Sequence, residues 1–284
     1  MEILSRLLLA ALILVVNNMQ TKDRRVLITG SAGNLGQYLC ATDFSDGWEV
    51  YRTDKDDLDV TSYAKVESFC EKYRPTAVVH LAGLLSGEAK ELENINTLAT
   101  INLYKAANRW GCEKFIFTST ASVYNQKDMK PTKESENIDP QGDYGKSKMY
   151  AEQALLSMES GVLILRVFNI YGLRFENSLW TKLKNSYNGE KVVVRNPENF
   201  WRDYIHATEV CRFILEGLNR RIMGLYNLAT GESKNTMELI GDFEDAGIFP
   251  NYEIRDGDAS YSFADITNLK RAFGFVPSRS IIYG

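Results

Sequence analysis

The chain has 284 residues, enough for one large domain or two coupled ones around a substantial core. An apolar fraction of 44% and a charged fraction of 25% are ordinary for a globular protein. A net charge of -4, with no run of basic side chains, excludes the electrostatic footprint of a nucleic-acid binder.

Residues 7–16 form a dense apolar run, Leu7-Leu8-Leu9-Ala10-Ala11-Leu12-Ile13-Leu14-Val15-Val16. It is short for a membrane span, which needs about 20 apolar residues. Glu2 offsets Arg6, and Val15-Val16-Asn17-Asn18 is a poor cleavage site for a secretory signal. Residues 1–20 are therefore read as an extraneous apolar leader, with Met19 as a natural start. A packing helix or a weak membrane anchor are the alternatives. Cys40, Cys70, Cys112 and Cys211 are far apart and include no C-x-x-C. They read as reduced thiols of a cytoplasmic protein, with no metal or disulfide expected.

Arg25-Val26-Leu27-Ile28-Thr29 is short, apolar and β-branched, and reads as a buried strand. The turn Gly30-Ser31-Ala32-Gly33-Asn34-Leu35-Gly36 follows, and Gln37 onward continues as a helix. Strand, glycine turn and helix is the context that a dinucleotide fingerprint requires. Its glycines let the backbone approach a pyrophosphate at the helix start. Residues 48–54 read as the second strand. Asp54 lies near the position where an acid binds the adenosine ribose, which favours NAD over NADP. Arg52 and Lys55 stand nearby and weaken that preference. Asp59-Val60 follows and suits the adenine, or Asp59 or Thr61 simply caps the helix expected over 63–73.

Ala77-Val78-Val79-His80-Leu81 is a near-continuous apolar strand, as in a parallel sheet covered on both faces. Ala82 and Gly83 end it, leaving room for a cofactor. His80 reads as a packing residue rather than a base. Residues 93–109 have helical periodicity and contain Asn96. Lys114-Phe115-Ile116-Phe117-Thr118 is the next strand, with Ser119, Thr120 and Ser122 at its carboxyl end, where ligands bind in open α/β sheets. After a polar loop, Tyr144 and Lys148 stand four apart in Tyr144-Gly145-Lys146-Ser147-Lys148, on one face of a helix. An ammonium beside a phenol favours the phenolate, which can take a proton from a hydroxyl.

Residues 162–168 form another buried strand, followed by Asn169-Ile170-Tyr171-Gly172. The alternation up to this point predicts an α/β Rossmann-type doubly wound parallel sheet over residues 21–172. Residues 173–284 read mainly as a smaller substrate-binding part, with some elements returning to the sheet. Helices are expected over 175–188, 209–219 and 236–246, and strands over 191–194, 202–206 and 225–228. Arg202 and Arg255 are the candidate anion ligands, since a guanidinium matches phosphate oxygens with two donors.

In this order the motifs resemble the extended short-chain dehydrogenase/reductase family, particularly its nucleotide-sugar epimerase branch. They are Thr29-Gly30 through Gly36, His80-Leu81-Ala82-Gly83, Phe117 through Tyr124, Tyr144 through Lys148, Arg166 through Gly172, Arg202 through His206 and Arg255 through Asp258. The resemblance implies NAD held at Gly30, Gly33, Asn34, Leu35 and Gly36, with Asp54 on the ribose and Asp59 and Val60 at the adenine. Leu81, Ala82, Gly83 and Asn96 would complete that site. Thr120 would bind the reacting hydroxyl, Tyr144 would be the base, and Lys148 would lower its pKa and bind the nicotinamide ribose. Asn169, Arg202 and Arg255 would hold the substrate. No metal is implied, and a homodimer is expected.

The implied activity is epimerisation of a nucleotide-activated sugar by transient hydride transfer to NAD. The alternatives are a sugar dehydrogenase or reductase with the same Thr-Tyr-Lys chemistry, and a non-catalytic dinucleotide sensor. Ala121-Ser122 stands where the family's sugar 4,6-dehydratases carry Asp-Glu, so dehydration is not expected. Asn125 replaces the usual glycine after Val-Tyr.

Overall fold

The computed structural model describes residues 24–44, 47–158 and 161–278. The apolar leader read at residues 1–20 lies outside them. Six strands form the central sheet: β1 (Arg24–Thr29), β2 (Trp48–Thr53), β3 (Ala77–His80), β4 (Lys114–Thr120), β5 (Val162–Val167) and β9 (Gly224–Leu228). Their order is β2-β1-β3-β4-β5-β9, and every pairing is parallel. All six residues of β5 and all four of β3 are buried. That is why these strands read as continuous apolar runs rather than alternating ones.

Helices cover both faces. On one side α1 (Asn34–Cys40), α7 (Ala207–Asn219) and α9 (Thr267–Phe273) pack Leu39, Val210, Ile214 and Phe273 onto Val26, Ile28, Val79 and Leu165. On the other, α2 (Tyr63–Tyr73), α4 (Ala99–Arg109) and α5 (Asp143–Leu156) pack Val66, Leu103 and Leu155 onto Leu27, Val78, Phe117 and Ile164. Adjacent strand residues thus feed opposite cores, as the strand period of two demands. The chain leaves β1 outward to β2, then returns past it to β3. This reversal of direction opens a crevice at the carboxyl ends of the strands.

The smaller part rises from that end. β6 (Asn169–Tyr171) follows β5 after one residue and pairs with β8 (Phe200–His206), which also pairs with β10 (Ser233–Asn235) and β12 (Ser260–Ser262). β7 (Val192–Arg195) and β11 (Tyr252–Arg255) form a separate two-stranded sheet. Tyr171, Trp180, Leu183, Leu239 and Phe243 fill a third core among β6, α6 (Leu179–Asn185) and α8 (Thr236–Asp245). α8 begins with a reciprocal cap, Asn235 Oδ1 accepting from the Glu238 N–H at 2.8 Å and Glu238 Oε2 from the Asn235 N–H at 3.1 Å.

Two expected helices differ. The one expected over 175–188 starts only at Leu179, because Ser178 Oγ caps it by accepting from the Thr181 N–H at 3.2 Å. The one expected over 93–109 starts earlier. A short α3 (Ala89–Leu92) runs into a π-helical segment, Glu93–Leu98, and then into α4. The three-residue strands β6, β10 and β12 and the four-residue β11 had no counterpart in the periodicity.

Candidate active site

The glycine turn after β1 is shaped by close approach. Gly30 has φ 71°, and a Cβ there would lie 2.6 Å from the Ala82 nitrogen. A Cβ on Gly36 would lie 2.1 Å from the Gly30 carbonyl oxygen. α1 therefore starts hard against the turn, and no side chain caps its first N–H groups. The Ser31 N–H donates to the Thr53 carbonyl at 3.0 Å, tying the turn to the end of β2.

Thr120 ends β4, and its hydroxyl shapes the next turn. Oγ1 accepts from the Ser122 N–H at 3.1 Å and donates to Ser122 Oγ at 3.2 Å. The turn, Ala121–Val123, touches the start of α5 at Gly145, where a Cβ would lie 2.4 Å from the Ser122 carbonyl oxygen. Tyr144 and Lys148 share one face of α5, as their spacing predicts. Burial pushes the Tyr144 phenol up, and its hydrogen bond to Thr120 pulls it down. Lys148 is 6% exposed, with Nζ 4.1 Å from the Phe117 ring centroid. Burial draws its ammonium down to about 7, against the Glu152 carboxylate one turn on.

Asn96 comes from the π-helical segment and is fully buried. Its Oδ1 accepts from the Leu84 N–H at 2.8 Å, and Nδ2 donates to the Leu84 carbonyl at 2.9 Å and Ser147 Oγ at 3.0 Å. Thr97 Oγ1 donates to the Ser147 carbonyl at 2.7 Å. The inserted π turn thus bolts the loop after Gly83 to α5. His80 is fully buried between Thr29 Oγ1 at 2.7 Å and Thr100 Oγ1 at 2.9 Å, and burial lowers it to about 3. It is neutral at neutral pH, in keeping with a packing role.

Gly30, Gly33, Asn34, Leu35 and Gly36 line a cleft of about 1310 Å³. Leu81, Gly83 and Asn96 line the same cleft, as do Thr120, Tyr144, Lys148 and Asn169. Ala82 packs against Gly30 from behind. The buried Ser119 Oγ, which has no hydrogen-bond partner among the described residues, also belongs to the lining. A second cavity of about 220 Å³ shares Ala121, Ser122, Asn169 and Ser262 with the cleft and adds Arg202.

Other expected residues are placed differently. Asp54, Asp59 and Val60 do not line the cleft. Asp54 Oδ1 accepts from the Asp56 N–H at 2.9 Å, within its own turn beyond β2. Asp59 Oδ1 accepts from Thr61 Oγ1 at 2.6 Å and the Thr61 N–H at 3.0 Å, and these bonds hold its carboxyl low. That closes a turn ahead of α2, whose own N-cap, Ser62, makes no side-chain capping bond. Asn169 Nδ2 donates to the carbonyls of Asp203 at 2.9 Å and Ser262 at 3.1 Å, so it also knits β6, β8 and β12. Arg202 spends its donors at home, on the Trp201 and Ser260 carbonyls at 2.8 and 3.0 Å and on Ser260 Oγ at 2.8 Å. Arg255 lines neither cavity. It lies on the two-stranded sheet, 51% exposed, with Nε 2.7 Å from Glu253 Oε1. Residues 175–178, read as part of a helix, instead line the cleft with Leu173 and Arg174 as an irregular segment.

The sequence model of the NAD dependent epimerase/dehydratase family matches residues 26–229. The chain belongs to this family. It is an NAD-dependent enzyme, and the glycine turn and the size of the cleft fit that dinucleotide. Family members with similar sequences include a UDP-glucose 4-epimerase of Bacillus subtilis, 25% identical over 90% of this chain and 93% of that protein. A bifunctional UDP-glucose and UDP-xylose 4-epimerase of Arabidopsis thaliana is 23% identical over 89% and 91%. Among solved structures, a UDP-N-acetylglucosamine 4-epimerase of Methanobrevibacter ruminantium superposes with a TM-score of 0.78 at 28% identity, covering 92% of this chain and 94% of that one. The dTDP-4-dehydrorhamnose reductase of Bacillus anthracis, solved with NADP, gives 0.79 at 22% identity, covering 92% and 95%, and shares the fold. Among the described residues no helix is long and apolar enough to cross a membrane, and no acidic, cysteine or histidine cluster suits a metal.

Proposed function

We propose that this chain is an NAD-dependent epimerase of a nucleotide-activated sugar. The observation that carries the reading is the meeting of Thr120, Tyr144 and Lys148 in the cleft that the glycine turn also lines. The adjoining 220 Å³ cavity gives a sugar nucleotide somewhere to extend. Gly30, Gly33, Asn34, Leu35 and Gly36 would hold the pyrophosphate, and Lys148 the nicotinamide ribose. NAD supplies the hydride acceptor and donor when bound. Thr120 Oγ1 orients the sugar hydroxyl towards Tyr144, and Tyr144 removes its proton and later returns it. Lys148, when protonated, favours the phenolate. Asn169 would touch the sugar and Arg202 the nucleotide end. Ala121 and Ser122 offer no acid pair for eliminating water. The similarity to curated 4-epimerases over nine-tenths of both chains supports the same reading.

Cofactor retention tests it. The protein is purified without added cofactor and denatured, and the released nucleotide is identified by chromatography. Near-stoichiometric NAD, with interconversion of a UDP-, GDP- or dTDP-sugar and no net NADH, is the expected result. An empty protein that consumes NADH or NADPH stoichiometrically with a keto sugar would instead make it a reductase.

A further inference from the structure

Beside the cleft lies a buried polar network with no assigned role in this chemistry, one member of which, Tyr124, also lines the 220 Å³ cavity. Arg166 stands in β5, beside Ser119 of β4 and Asn227 of β9. Its side chain is 4% exposed, and that of its partner Glu152 is 1% exposed. Nε donates to both Glu152 carboxylate oxygens at 3.1 Å, and Nη2 donates to Oε2 at 2.6 Å. Nη1 donates to the Tyr124 hydroxyl at 2.6 Å, and that hydroxyl donates to Asn227 Oδ1 at 2.7 Å. Glu134 Oε1 closes the far side by accepting from the Asn227 N–H at 2.9 Å.

The two arms of Arg166 reach different pieces of the active site. Glu152 lies one turn beyond Lys148 on α5. Tyr124 is the residue that ends the turn begun by Thr120. A buried ion pair adds little net stability over apolar packing, so stability alone gives no reason to keep one here. Its forked geometry is directional, however, and directional contacts fix relative position. A misplacement of about 1 Å can cost about 100-fold in rate.

We propose that Arg166 is a positioning residue of the active site, seating the Tyr144–Lys148 helix through Glu152 and the Thr120 turn through Tyr124. This rests on the assignment of Thr120, Tyr144 and Lys148 as the reacting set. Arg166 touches none of the three. It makes their spacing a single mechanical unit, with Gly145 allowing the helix and the turn to meet.

The test uses Tyr124→Phe and Glu152→Asp in the NAD-bound protein, with Tm as the check on folding. Each variant should lower kcat at least about tenfold with the sugar KM within about twofold. The double variant should lose much less than the product of the two effects, because both cut one unit. A second readout needs no substrate. The Lys148 ¹³Cε signal should move in Tyr124→Phe, and the Thr120 methyl signal in Glu152→Asp, each across Arg166 from the changed side chain. If Glu152→Asp fails to fold, the Lys148 signal in Tyr124→Phe decides alone. Signals that move only on the side of the substitution, or multiplicative kcat losses, would overturn the proposal. A protein with no epimerase activity but with this cross-talk would retain the positioning unit and discard the epimerase reading.

Discussion

Lys148 carries the clearest pH consequence at the scale of one residue. Its ammonium is drawn from 10.5 to about 7 by burial. A lysine depressed in the fold binds fewer protons there than in the unfolded chain between those two values. Its contribution to stability is therefore present above about 10.5 and is lost as pH falls towards 7. Lys148→Met should raise Tm at pH 7, with the gain shrinking as pH approaches 10, and should lower turnover sharply at every pH. Thermal melts across that range check it, and a destabilised variant at pH 7 would contradict it. Tyr144→Phe makes the complementary case. It removes the phenolic hydroxyl and keeps the ring, so turnover should fall by about 100-fold or more while NAD retention stays nearly unchanged. Full activity in that variant would rule Tyr144 out as the base.

Between elements, the contact of α5 with the Ala121–Val123 turn is the most demanding. Alanine is a better helix former than glycine by up to about 1 kcal/mol, which would favour Gly145→Ala. The added Cβ would sit 2.4 Å from a main-chain oxygen, which cannot swing aside as a side-chain tip can. The clash should win, destabilising the protein by about 1–3 kcal/mol and lowering kcat as Tyr144 moves from Thr120. Urea unfolding and steady-state kinetics measure both. The same contact explains what was legible in the sequence. Glycines, the Thr120 turn and the Tyr144–Lys148 pair are bound to fixed spacings by backbone approach and helix geometry, so they announce themselves. Asn96 is legible as a residue but not as a clasp, because the π turn that aims it leaves no mark on the periodicity. Asp54 and Arg255 illustrate the limit from the other side. Each has the right chemistry but lies outside the cleft lining and makes a local contact, Asp54 with the Asp56 N–H and Arg255 with Glu253.

For the molecule as a whole, the crevice lies between the sheet's carboxyl ends and the smaller β6-β8-β10-β12 part. A ligand seated there contacts both, so binding should raise global stability rather than local order alone. NAD at about 100 times its Kd should add about 2.7 kcal/mol. A thermal-shift titration with NAD should show this, and an unchanged Tm at saturating NAD would contradict it. Five of the sheet's six strands and its two covered faces followed from strand–helix alternation, whereas β9 joins it from the part read mainly as substrate-binding. In the smaller part β7 and β8 were legible as strands, whereas β6, β10 and β12 are three residues long, too short to carry an apolar pattern, and are held by pairing with β8.

The sixth strand has a consequence for how this protein is made. β9 contributes residues 224–228 to a sheet whose other strands are all complete by residue 167. During synthesis at about 5–20 residues per second, the ribosome adds the intervening 56 residues in several seconds. Throughout that interval the β5 edge, with Leu163 and Leu165 beside it, has no neighbour. Bare edges recruit other chains. A fragment ending at residue 172 should therefore be recovered mainly as aggregate, and one ending at residue 278 as soluble protein, which fractionation of expressing cells would reveal. Nascent chains of this enzyme should be most dependent on chaperones in the window between those two strands.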